Sequence, residues 1–348
     1  MPNTSERVRE LIAASGLTHR AYADQIGLDT TKLSKSLRGG RRFTSLELAR
    51  ISELSNVTVD WLITGTGLEI TVAARSNGGS AATAVHEAQR LSSLRSDMTF
   101  LGLGQPWQPL PREQNVRRMA EAARARVEEA GHSPAEPDLA TVIEASFGVD
   151  VAISSLGTGF DGLSVSSDEV KLILVSTSQI PARQRFTLAH ELGHLLAGDD
   201  QQLHIDENIY AGSYRLDPSE QGANAFAAAF LMPEHQLRAA TPTTYAALAD
   251  ELLVSPAGLA VRLRELQLAD DETCERLRQL TGAQAAQTAG RSEHFAARVA
   301  VASSVRPPGL LLRDTYQAYE SGEATLRPYA ALIGADVDQL HESLEAQE

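Results

Sequence analysis

The chain has 348 residues, 43% of them hydrophobic, a formal net charge of −14 at pH 7 and a single cysteine, Cys274. This length points to two or three domains, and the composition is far from that of a disordered chain. One cysteine excludes an internal disulfide and any cysteine-rich zinc finger, and the acidic balance argues against a protein that coats nucleic acid along its whole length.

No apolar run is long enough to span a membrane. The start, MPNTSERVREL, lacks the apolar core of a signal peptide, so the expectation is a cytoplasmic protein. The charge is uneven, however. Residues 1–65 hold nine Lys/Arg against seven Asp/Glu, about +2, which leaves about −16 for the remainder. A weakly basic head on an acidic body fits a DNA-binding module joined to something else.

In chain order, the first 65 residues read as short helices closed by Gly or Asn. SERVRELIAASG opens on a Ser cap and sets Val8, Leu11 and Ile12 on one face. THRAYADQIG, DTTKLSKSLRGG, TSLELARISELSN and VTVDWLITG follow. From residue 68 to 112 the pattern weakens. RSNGGSAATA reads as linker, with HEAQRLSSLRSDM as a possible helix inside it. REQNVRRMAEAARARVEEAG predicts a long helix.

VDVAISSL and KLILVSTS are β-rich, and GLSVSSDE before the second predicts a hairpin turning near Ser167. IPARQRFTLAHELGHLLAG and EQGANAFAAAFLMP read as helices, the latter stopped by Pro233. LADELLVSPAGLAVRLRELQL gives two more, TGAQAAQTAGR (281–293 as a segment) reads as a second linker, and 294–348 as a helical C-terminal region.

FTLAHELGHLL carries the chemistry. Two histidines at i and i+4 lie one turn apart on one helix face, so His190 and His194 can bind one zinc ion. Glu191, beside the first, is placed to take a proton from zinc-activated water. A catalytic zinc usually has three protein ligands. Glu220, at the start of the next apolar helix, is the expected third. Asn224, one turn later, is expected to hydrogen-bond the second nitrogen of a ligand histidine. His204 is a candidate on the substrate side, and His235 reads as a surface residue.

RQRFTLAHELGHLL followed by E-x-x-A-N-x-F-A-A and LMP resembles the ImmA/IrrE family of metallo-endopeptidases, over about residues 113–280. The resemblance implies zinc held by His190, His194 and Glu220, and Glu191 as general base. It also implies a small sheet packed on helices, and a protein substrate that is a repressor or antitoxin. By analogy, KLILVSTS is a strand that could align substrate backbone by β-addition.

In the head, THRAYADQIGLDTTKLSKSLRGG reads as helix, turn at Gly27, helix. Ala23 allows a close crossing, and Ile26, Leu28 and Leu33 are the expected core. Thr30, Thr31, Lys32, Ser34 and Lys35 would then face DNA bases and phosphates, with Arg38, Arg41 and Arg42 on the backbone. The five-helix pattern, RGGRRFTSLELARISE and the ending VDWLITG resemble a Cro/repressor-type helix-turn-helix domain of the XRE class over residues 5–66. That resemblance implies a recognition helix starting near Thr30, Trp61 and Leu62 in the core, and binding to a double-stranded operator as a homodimer.

The expected fold is thus multidomain: an all-α helix-turn-helix domain (1–67), a linker, an α+β HEXXH metallopeptidase domain (113–280), a linker and a small helical C-terminal piece. The expected function is a transcriptional regulator carrying a zinc endopeptidase that cuts a repressor, an antitoxin or itself. The alternative is a regulator whose peptidase-like domain is a sensor or interaction module with little hydrolytic activity.

Overall fold

A computed structural model of the chain describes residues 3–15, 17–55, 59–64, 79–111, 113, 115–157, 160–198, 203–206 and 217–345. It divides into two compact units, residues 1–70 and 71–348.

The first unit holds α1 (Thr4–Ser15), α2 (His19–Gln25), α3 (Thr30–Leu37), α4 (Ser45–Ser55) and α5 (Val59–Thr64). Thr18 accepts from the Ala21 N–H to start α2, and the Asp29 carboxylate accepts from Thr31 and Lys32 to start α3. Those two backbone N–H groups hold the Asp29 carboxyl below the usual carboxylate range. Between the helices Gly27 turns the chain at φ +62°, where a side chain would be strained.

Val8, Ile12, Ala23, Ile26, Leu28, Leu33 and Leu62 are all buried in one cluster, as the apolar spacing requires. The Trp61 side chain lies outside the described residues. One cap differs from expectation. Asn3, not Ser5, starts α1: its side chain accepts from Glu6 N–H while the Glu6 carboxylate accepts from Asn3 N–H. Arg7, buried, donates to the carbonyls of Leu62 and Ile63, two of the unpaired acceptors at the end of α5.

The second unit begins with α6 (Gly79–Phe100), α7 (Val116–Glu129) and α8 (Leu139–Phe147). Four strands follow: β1 (Asp150–Ser154), β2 (Gly162–Ser166), β3 (Lys171–Ser176) and, after α9 (Pro181–Ala197), β4 (Leu203–Asp206). The sheet order is β1-β3-β2-β4, with β1 parallel to β3 and β2 antiparallel to both β3 and β4. The expected hairpin is present, and its turn closes from Ser167 N–H to the Val170 carbonyl at 2.9 Å.

The sheet order corrects one expectation. KLILVSTS is β3, an interior strand paired on both sides, so it has no edge to offer a substrate backbone. Its unbroken apolar run, Leu172 to Val175, is buried throughout, as an interior strand covered on both faces demands.

The helices α10 (Pro218–Leu231), α11 (Glu234–Ala239), α12 (Tyr245–Glu251), α13 (Pro256–Glu265) and α14 (Asp271–Arg278) complete the middle of the unit. The possible helix HEAQRLSSLRSDM is present and extends further than expected, while residues 75–78 of RSNGGSAATA lie outside the described residues. The second expected linker also holds a helix. In 68–112, residues 79–100 form one helix whose Arg95 is buried against Asp150 and Asp314. In 281–293, Gly282–Thr288 is α15, started by a capping box between Thr281 and Gln284. Both are rich in Ala and small polar residues, which weakens the hydrophobic signal but leaves helix propensity high.

The C-terminal region is helical as expected: α16 (Ser292–Ala302), α17 (Gly309–Glu320), α18 (Arg327–Ile333) and α19 (Val337–Glu345). It is no separate piece. The Arg306 and Ile153 backbones exchange two hydrogen bonds of 2.8 Å, so this region continues the sheet at β1. The Arg306 side chain reaches the Val151 carbonyl and the buried Glu144 carboxylate. Tyr316, Tyr319 and Tyr329 form a half-buried aromatic cluster between α17 and α18. Among the described residues no helix is long and apolar enough to cross a membrane.

Candidate metal centre

Pro181 sets φ at the first position of α9, and Gly198 ends the helix in the left-handed conformation. In between, α9 packs on the sheet and against α10. Its His190, Glu191 and His194 side chains are buried completely. Asp217 caps α10 by accepting from Ser219 N–H, which places Glu220 in the first turn. There the aligned peptide dipoles favour a carboxylate. Glu220 is 1% exposed.

These side chains converge. His190 Nε2 and His194 Nε2 are 3.1 Å apart, and the Glu220 carboxylate oxygens lie 3.4 Å from the first and 3.5 Å from the second. A tetrahedral ion bound at about 2.0–2.1 Å, typical of zinc, requires ligand atoms about 3.3 Å apart. The observed separations bracket that value. Two imidazole nitrogens and a carboxylate converging on one point in a buried place suit a shared cation. His190, His194 and Glu220 are the one such cluster among the described residues.

The outer contact differs from expectation. The Oγ of Ser219 lies 3.3 Å from His194 Nδ1, where it fixes the ring. Asn224 is half-buried, and among the described residues it makes no hydrogen bond to either histidine. His204 lies in β4 opposite Ser164; its side chain is outside the described residues. His235 is exposed, as expected.

Two glycines that sequence reasoning did not single out shape the centre. A Cβ on Gly193 would stand 2.9 Å from Phe226 and 3.3 Å from the Ala223 Cα, so α9 and α10 meet through that glycine. A Cβ on Gly162 would stand 2.7 Å from Thr187 and 2.9 Å from Glu191 Oε1, so β2 runs directly beneath the glutamate. The only hint available in the sequence is a glycine between the two histidines. Gly193→Val is expected to cost about 1–3 kcal/mol by forcing the helices apart, read as a lower urea midpoint; an unchanged midpoint would contradict the close packing.

Residues 144–264 match the IrrE N-terminal-like domain. The chain is 43% identical over 88 residues to the radiation response metalloprotease IrrE of Deinococcus radiodurans, covering 25% of this chain and 26% of that one. It is 38% identical over 91 residues to the IrrE of Deinococcus deserti, covering 23% and 32%. The chain thus spans about a quarter to a third of the length of these curated relatives. His190, Glu191, His194 and Glu220 all fall inside the matched domain, and a metalloprotease-like domain implies a metal ion there.

The residues expected to meet DNA are in the first unit. Thr30, Thr31, Lys32, Lys35, Arg38 and Arg42 are exposed, and Ser34 is half-buried. Arg41 is committed elsewhere: its guanidinium holds both oxygens of Glu47, at 2.6 and 2.9 Å. That fork pulls the Glu47 carboxyl below its ordinary range. It ties the α3–α4 loop to the first turn of α4.

Proposed function

We propose that the chain is a zinc-dependent endopeptidase joined to a DNA-binding head, and that it cuts a peptide bond in a regulatory protein: a repressor, an antitoxin or itself. The observation that carries the reading is the convergence of His190, His194 and Glu220 beside Glu191, inside a domain similar to metalloproteases.

His190, His194 and Glu220 would hold the zinc ion, which would supply Lewis acidity toward water and a peptide carbonyl near neutral pH. Glu191 accepts the proton from the attacking water and passes it to the departing amine. Gly162 leaves room for its carboxylate, since a Cβ there would stand 2.9 Å from Oε1. Ser219 keeps the His194 ring turned so that Nε2 faces Glu220.

The first test is metal content. Purified wild-type protein is expected to hold close to one zinc per chain, and Glu220→Ala to lose it. A wild type that takes up no added zinc would reject the centre.

For the head, the capped α3 with its exposed Thr30, Thr31, Lys32 and Lys35 supports major-groove binding to a double-stranded operator, as a homodimer. Lys32→Ala and Lys35→Ala are each expected to lower the salt slope of DNA binding by about 1. Slopes equal to wild type would remove both lysines from the phosphate contacts. Arg41, held by Glu47, is a weaker candidate than Arg38 or Arg42.

One observation favours a second reading. His190, Glu191, His194 and Glu220 are each at most 1% exposed, as in a domain that senses or binds with little hydrolysis. The Glu191 variant described below separates the two readings.

A further inference from the structure

A cavity of about 470 Å³ lies among α7, the last turn of α10, α11 and α13. That size is ordinary for a small-molecule site, about 300–1,000 Å³. Four guanidiniums line it: Arg117 and Arg124 from α7, Arg238 from α11 and Arg262 from α13. Three carboxylates share the lining, Glu121, Glu128 and Glu234. Glu234 is taken by Arg238 at 2.5 Å, with Arg117 at 3.6 Å. Glu121 and Glu128 are exposed and form no ion pair among the described residues.

Arg262 is the telling group. Its side chain is 8% exposed, the nearest carboxylate is the solvent-facing Glu265 at 3.5 Å, and its Nε has no hydrogen-bond partner. A buried guanidinium so weakly paired is costly, and a bound anion would relieve the cost. Arg124 donates one N–H to the Phe230 carbonyl at 2.7 Å, which fixes the stem of a second guanidinium at the cavity wall.

We propose that this cavity binds a small molecule bearing two or more phosphate groups, held by Arg117, Arg124, Arg238 and Arg262. Planar guanidiniums match phosphate oxygens two at a time. Four of them converge from three helices, against three lining carboxylates of which only Glu234 forms an ion pair among the described residues. The site is separate from the metal centre. Ala229 at the cavity lies nine residues beyond Glu220 on α10, about 13 Å along the helix axis.

The test is titration calorimetry on the full chain with inorganic pyrophosphate and, separately, citrate. Pyrophosphate should bind saturably, and equally well to Glu220→Ala, which removes chelation at the metal centre as its cause. Arg262→Gln and Arg117→Gln should each weaken it about tenfold or more, the loss of roughly one charge-assisted contact. Arg117 is largely exposed, so its variant keeps the test alive if the Arg262 variant does not fold. The proposal is overturned by any of four results: no saturable binding, binding lost in Glu220→Ala, affinity unchanged in both arginine variants, or citrate bound in place of pyrophosphate.

Discussion

Glu191→Gln is expected to retain zinc at the wild-type level while peptide cleavage falls by about 10²–10⁴-fold, the range for loss of a general base. Glutamine keeps the shape of the side chain, so the packing against Gly162 survives. Its amide cannot take a proton near neutral pH. Glu191 is not one of the three converging ligands, so the metal site keeps its donor set. The measurement is metal analysis beside a cleavage assay on a paired repressor or antitoxin, and on the chain itself. Cleavage that survives the substitution would remove Glu191 from the chemistry. If neither protein cuts any partner although both hold zinc, the sensing reading gains.

The second large effect is on stability. Arg95, 1% exposed, pairs with both oxygens of Asp150 at 2.6 and 2.9 Å and with Asp314 at 2.6 Å, and also donates to the Leu103 carbonyl. It joins α6, β1 and α17. Arg95→Met leaves the buried Asp150 carboxylate without its cation and Asp314 with Arg313 alone, which should cost about 3–5 kcal/mol at pH 7. Burial already pushes the Asp150 carboxyl up, and Arg95 opposes that rise.

Without the arginine the folded-state value goes higher still. A group with a raised folded value favours the fold while protonated and loses that contribution as pH rises. The deficit of Arg95→Met should therefore shrink as pH falls into the carboxylate range. Urea midpoints at pH 7 and pH 5 check this, and a deficit that grows on acidification would refute it. Adding Asp314→Asn should recover part of the loss, since it removes the neighbouring carboxylate whose charge opposes that of Asp150.

Much of the metal centre was legible because its geometry is local. Histidines four apart on a helix meet by the helical repeat alone, and Glu220 opens a helix whose Asp217 and Pro218 mark its start. Ser219 was missed for the opposite reason. In the first turn of α10, Ser219 immediately before Glu220 reaches His194, whereas Asn224 one turn later does not. Only the angle between α9 and α10 decides that, and Gly193 with Phe226 sets it.

Strand order was not legible either. β1 pairs in parallel with β3 across the β2 hairpin, and nothing in the apolar run of β3 distinguishes an interior strand from an edge. The possible helix within 68–112 was legible, but not its anchoring, because the partners of α6 are remote: Asp150 is 55 residues from Arg95, and Asp314 is 219 away. Short-range patterning carries no trace of such pairs.

The bridge at Arg306 has a bearing on assembly. With the outer side of β1 occupied there, the sheet keeps one unpaired margin among the described residues, that of β4. A sheet that is open on both sides can add neighbours without limit, as a growing fibre does. A sheet with one free side can only meet the same side of a second copy, and the two-fold pair so formed is closed. Association through the described strands would therefore use the β4 margin and stop at two.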